Sequence, residues 1–356
     1  AEALAAALDD PRRLGQVSAF LASCFYNLGI RAQAIAAGQR ALALATVSGD
    51  VGLHAVANFY LGGQYHSQGD YHQAIDYLRQ TVETLDGEQR RERFGQVSLP
   101  AVQSRALLAW CHAELGMFAE GRALAEEGLQ IAETVAHPAS LMWAYDGIGL
   151  LSLRQGDLPR ALPQLERAIG SCQDTDRPAM FPAVAAALGA AYTLCGRVAD
   201  AVLLLTQVLE QTTAGETVAY RARCNLSLGE AQLLAGRLEE AHALAERALA
   251  LARAHQERGN QAYALCLLGD IAAQREPPEG AQAGEYYRQA LTLAEALGMR
   301  PLQAHCHRGL GTLYATIGQQ EQARAELSAA IVLYRAMDMT FWLPQTEAAL
   351  AQVEGQ

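Results

Sequence analysis

The stretch Gly156-Asp157-Leu158-Pro159-Arg160-Ala161-Leu162, continued by Ala168-Ile169, decides the fold. It has a counterpart in Gly69-Asp70-Tyr71-His72-Gln73-Ala74-Ile75 with Thr81-Val82, and another in Gly236-Arg237-Leu238-Glu239-Glu240-Ala241 with Ala248-Leu249. The shared pattern is a Gly, a small residue five later, and a small or compact residue seven after that. Extended along the chain it occurs eight times. The turn position is held by Gly29, Gly69, Gly116, Gly156, Gly196, Gly236 and Gly318, with Pro277-Pro278 in that region of the seventh copy. The next position holds Ala34, Ala74, Gly121, Ala161, Ala201, Ala241, Ala283 and Ala323, and the third Ala41, Thr81, Gly128, Ala168, Val208, Ala248, Ala290 and Ala330. Upstream of each turn lies one more small residue: Ala22, Gly62, Ala109, Gly149, Gly189, Gly229, Gly269 or Gly311. Successive residues of the third set are 40, 47, 40, 40, 40, 42 and 40 apart.

Each slot has a physical reason. A Gly after a helix takes the left-handed conformation that a Cβ penalises. Small residues on both sides of that turn let two antiparallel helices approach closely. Apolar residues recur at helical spacing between them, such as Leu61, Tyr65, Ile75 and Leu78 in the second copy. A hairpin of about 40 residues cannot bury both of its faces, so neighbours must stack. The expected architecture is an all-α, right-handed superhelical solenoid of about eight hairpins. The repeats fall near 14–48, 54–86, 101–136, 141–173, 181–213, 221–255, 261–297 and 303–337, with a capping helix over 341–353. The seven-residue excess in the 47-residue interval places an insertion loop at 87–100.

Composition agrees. The 356 residues are 51% apolar and include 70 Ala and 31 Gly, while aromatics are 6%. This favours closely packed helices over a sandwich or barrel. All 27 basic residues are Arg, so no phosphate-loop lysine and no Schiff-base lysine exists. The net charge of −11 and the lack of a basic stripe argue against nucleic-acid and anionic-membrane partners. No apolar run reaches the length of a membrane span. Seven Cys without a CxxC pair read as reduced thiols in a cytoplasmic protein. His305-Cys306-His307 is no metal site, because helical residues two apart diverge by about 200°. No catalytic constellation survives the spacing test, so no enzyme activity and no cofactor are expected. The chain opens at Ala1 and reads as a piece cut from a longer protein.

The repeat positions resemble those of the tetratricopeptide repeat, over essentially the whole chain. The usual unit of that family is about 34 residues, so longer helices are implied here. Pro159 suits a first turn, whereas Pro163 is expected to kink or delay the fourth second helix. A narrower resemblance rests on Glu92-Arg93-Phe94-Gly95, Leu265 to Ala273, Tyr286 to Leu291, Gly298 to Cys306 and Met337 to Leu343. These strings are similar to the C-terminal repeat region of bacterial signalling proteins that carry a cyclase-type domain and an AAA/STAND-type ATPase. That resemblance implies a regulatory or sensor module whose partner is a protein or peptide, including such N-terminal domains.

In this family the first helix of each repeat lines a concave wall. The matching positions give Tyr26, Phe59, His66, Trp110, Trp143, Arg223, Tyr263 and Arg308 as groove residues, with Arg154 one place beyond. Gln16, Ser23, Gln103, Asp146, Glu230, Asp270, His305 and Thr312 fall in the same slots. Rigid aromatics on a concave face make a recognition surface. Arg223 and Arg308 are able to grip a carboxylate or phosphate in bidentate fashion, or to pair with neighbouring acids. Arg93 and Phe94 are the insertion's candidates, with Phe94 expected in the groove or at the edge of the third repeat. Two functions compete: a non-catalytic protein-interaction module that binds a peptide, helix or partner domain in the groove, and a sensor that binds a small-molecule inducer there.

Overall fold

The computed structural model describes residues 10–85, 87–173, 180–214, 218–276 and 279–355. Residue 86, where the second unit is expected to end, and the Pro277-Pro278 pair lie outside the described residues. Seventeen α-helices and no strand occur among the described residues. They run α1 Pro11–Asn27, α2 Arg31–Ser48, α3 Val51–Gln68, α4 Tyr71–Thr84, α5 Pro100–Leu115, α6 Phe118–Val135, α7 Pro138–Gln155, α8 Leu158–Gln173 and α9 Phe181–Leu194. The remainder are α10 Val198–Ala214, α11 Arg221–Leu234, α12 Leu238–Ala254, α13 Arg258–Gln274, α14 Gly280–Ala296, α15 Arg300–Thr316, α16 Gln320–Ala336 and α17 Leu343–Glu354. Consecutive helices pair into eight hairpins, and α17 covers the last.

Local chemistry sets the helix ends. The carboxylates of Asp10, Asp50 and Asp70 accept from the backbone N–H of Arg13, Leu53 and Gln73 at 3.1, 3.0 and 3.2 Å, which satisfies donors the helix leaves open. The seven turn glycines have φ between 72° and 85°. Inside four of the hairpins a knob recurs. The Cβ of an alanine at Gly62, Gly149, Gly189 or Gly311 would lie 2.5 to 2.6 Å from Cγ of Leu78, Leu165, Leu205 or Leu327. Each leucine follows its glycine by sixteen residues. The second helix thus seats one leucine in a notch of the first, and the missing methyl is what permits the close crossing.

Pro163 departs from expectation. Helix α8 is continuous from Leu158, with Pro163 inside it. The ring lies on the exposed face, where water can satisfy the carbonyl that loses its partner.

The solenoid winds back onto itself. The α1–α2 turn meets the segments that precede α11 and α13: Val218 N–H donates to the Asn27 carbonyl at 2.9 Å, and Gly29 abuts His255. The Arg31 guanidinium pairs with Glu257 at 3.0 Å and also donates to the His255 carbonyl and the Ser67 hydroxyl. One repeat on, Gly69 abuts Gly259 and Leu297, and the Tyr71 hydroxyl lies 3.8 Å from the Met299 sulfur. The next turn, at Gly116, abuts Met337 and Pro301, and Gly156 abuts Phe341 and Trp342. The accessible surface, 14995 Å² for 38.1 kDa, is close to the roughly 13,900 Å² expected of a globular monomer of that mass. An open arc would expose much more.

Candidate functional site

The first helices of the repeats line an axial lumen. At its N-terminal end is a chamber of about 330 Å³. Phe59 of α3, Trp110 of α5 and Trp143 of α7 form one wall. Trp110 and Trp143 stack at 5.6 Å between centroids, and Phe59 stands edge-on to Trp143 at 6.0 Å. Tyr26 of α1 and Tyr220, just before α11, meet edge-to-face at 6.3 Å and belong to the other side. Tyr220 comes from the second coil, so the chamber is complete only where the coils meet.

No carboxylate and no guanidinium lines the chamber among the described residues. His66, 5.7 Å from Trp110, is its one imidazole. Burial, assisted by the nearby arginines, brings its pKa down to about 4 against the pull of Glu114, so it is neutral at pH 7. Three polar atoms of lining residues have no protein partner: Trp110 Nε1, Gln64 Oε1 and Gln103 Oε1. Buried polar atoms without a partner mark places where a guest's polar groups fit.

Below the chamber the lumen narrows to a polar neck, which Tyr26, His66, Trp110 and Tyr220 share with it. Glu114 accepts from Arg154 at 3.0 Å and from the Tyr263 hydroxyl at 2.6 Å. The Arg154 guanidinium lies 4.3 Å from the Tyr263 ring centroid. Burial raises the Glu114 pKa, but Arg154 and Tyr263 outweigh it and hold the carboxyl below its ordinary value. Arg223 lines the neck and the small cavity beneath it. It closes no ion pair and donates no hydrogen bond among the described residues. Burial and then the charge of Arg154 lower its pKa.

Eight of the nine expected groove residues therefore meet in one continuous space: Tyr26, Phe59, His66, Trp110 and Trp143 in the chamber, Arg154, Arg223 and Tyr263 in the neck. Arg308 does not join them. It lies farther along the axis, in the field of Asp270 and His305. Of the two places expected for Phe94, the groove and the edge of the third repeat, it takes the second. Phe94 packs in the seam between α3 and α5, over Gly52 and against Ala55 and Ala101, and not in the lumen. Arg93 is exposed, with Nη1 3.5 Å from His137 Nε2. Anchored by Phe94, the loop instead gives Gly95 to Ser98 to the chamber wall, and Gln96 accepts from the Tyr60 hydroxyl at 2.7 Å. Sequence reasoning also missed Glu114. It occupies the same repeat position as Arg154, forty residues earlier, and that register was the available signal.

The tetratricopeptide-repeat family model matches residues 61–92 and 184–219. No curated protein sequence matches the chain. Among solved structures, a Rap protein complexed with Competence and Sporulation Factor superposes with a TM-score of 0.59 at 12% identity, covering 85% of each chain. The Rap conjugation gene regulator of plasmid pLS20, in complex with the Phr* peptide, gives 0.59 at 13%, covering 88% of this chain and 87% of that one. Aspartyl phosphate phosphatase F from Bacillus subtilis gives 0.55 at 17%, covering 82% and 73%. At such identities the likeness is one of fold. Two segments thus match the tetratricopeptide-repeat model, and the chain as a whole has the fold of a solenoid of such helix hairpins.

Proposed function

We propose that this chain is a non-catalytic sensor module of a cytoplasmic signalling protein, and that it recognises an extended peptide segment in its lumen. One observation carries the reading: an uncharged aromatic chamber of about 330 Å³, built jointly by two coils of the solenoid. That volume lies at the low end of ligand pockets. An α-helix about 10 Å across is too thick for it, whereas an extended chain end with one or two side chains fits. The Rap structures of similar fold hold peptides by their printed descriptions, which supports this choice. A guest would touch α1, α3, α5, α7 and Tyr220 together, and so favour the wound form over looser ones. The output would pass to a partner domain, for which the cyclase- and ATPase-bearing proteins suggested by the sequence are the candidates. The small size of the chamber and its lack of charge also suit a metabolite, which keeps the inducer reading as the second.

The test is titration with mixed short peptides and, separately, with a small-metabolite pool, followed by tryptophan fluorescence. Saturable quenching that is lost in Trp110→Ala and Trp143→Ala supports the lumen as the site. If both variants fold and retain every partner of the parent, the lumen is not where recognition happens.

A further inference from the structure

We propose that the lumen selects an organic monoanion, a carboxylate carried on an apolar or aromatic body, which enters charge first and is anchored by Arg223. The inference deepens the binding reading above and rests on it.

The charges around the neck leave one cation over. Arg154 is matched by Glu114 and Arg31 by Glu257. Arg223 has no such partner, although it lies in the walls of both inner cavities. Its neighbours do not replace one. Asp146 is 1% exposed, its Oδ1 has no hydrogen-bond partner, and burial pushes its carboxyl up to about 7. Burial does the same to Glu230, also to about 7. Neither acid is fully ionised at neutral pH and neither closes an ion pair with Arg223, so this guanidinium has no committed counter-ion although the chain carries −11 overall. A half-buried guanidinium in the lumen wall without an ion-pair partner is incompletely satisfied, and a carboxylate that meets its planar fork supplies two charge-assisted bonds. A dianion would bring back an unmatched charge, which selects carboxylate over phosphate.

The chamber sets the rest of the ligand. The way to Arg223 runs between Tyr26, Trp110 and Tyr220, rings that line both the chamber and the neck. A charged body would lose its hydration in the chamber without finding a partner, whereas a flat apolar one stacks. The ligand is thus polar at its inner end and apolar behind it. A free aryl acid and the last residue of a peptide share this chemistry.

Calorimetric titration of the whole chain with 3-phenylpropionate and its amide, and with Ala-Ala-Phe as free acid and as amide, tests the proposal. In one or both pairs the acid is expected to bind about tenfold more tightly than the amide. Arg223→Gln should erase that preference. Preference only within the first pair identifies a small acid as the source, and preference within the second a peptide terminus. Equal binding of acid and amide in both pairs overturns the anionic subsite while leaving chamber binding intact. Binding of none of the four overturns the subsite, and the chamber reading then stands or falls by the tryptophan variants. Should Arg223→Gln fail to fold, the acid–amide comparison in the unaltered protein still decides.

Discussion

The turn at Gly156 and the turn at Gly196 are written almost alike in the sequence, forty residues apart, yet they live in different surroundings. A Cβ at Gly156 would lie 2.7 Å from Cβ of Phe341, beneath the start of the capping segment. A Cβ at Gly196 would meet nothing within 4 Å. The first four turns are clamped under the second coil, whereas those at Gly196, Gly236 and Gly318 face open space. The local repeat needs only the left-handed backbone. The clamped turns also need the absence of a side chain, because they bear the contact that closes the solenoid.

The contrast can be broken most forcefully at Arg31. The side chain is buried between the coils, and its loss leaves Glu257 without its cation. Arg31→Ala should cost about 3–5 kcal/mol in denaturant unfolding. A comparable loss from Arg197→Ala, whose ion pairs with Glu166 and Asp200 are exposed, would contradict the special standing of the clasp.

A second variant gives a gain, and only above acid pH. Asp146 has a folded-state pKa of about 7, above its unfolded value. Folding is therefore penalised progressively as pH rises from about 4 to 7, and by a constant amount beyond. Asp146→Asn, which stays neutral, should stabilise by about 2–4 kcal/mol at pH 8 and by almost nothing at pH 4. Stabilisation that is equal at both pH values would mean that ionisation is not the cause.

The glycine pair itself comes next. Gly156→Ala should lose about 3 kcal/mol, left-handed strain plus overpacking. Gly196→Ala should lose about 1 kcal/mol, from strain alone. Equal losses in thermal unfolding would show that the turn at Gly156 is not clamped.

What could be read beforehand divides along the same line. The hairpins were legible because each is fixed by residues within about forty positions: the turn position and the small residues on either side of it. The inward face of the first helices was legible for the same reason, which is why Phe59, Trp110 and Trp143 could be named together. Closure was not legible. The pitch of a solenoid sums many small rotations between repeats, and no local pattern announces that the segment before α11 returns to Asn27. Tyr220 was therefore missed as a wall of the chamber, although its φ of 67° marks an unusual backbone. The insertion was legible as an insertion, and Phe94 sits at the edge of the third repeat, one of the two places open to it, where it anchors the loop. Arg308 shared a repeat position with lumen residues, but it belongs to a later part of the axis than the chamber and neck.

Closure is also what the enclosed chamber depends on, so it is the point to measure. Small-angle X-ray scattering of the dilute chain reads it directly. The expected result is a radius of gyration close to the roughly 21 Å of a compact chain of this length, growing in Arg31→Ala. A markedly larger radius in the unaltered protein, with the long-tailed distance distribution of an open arc, would contradict it.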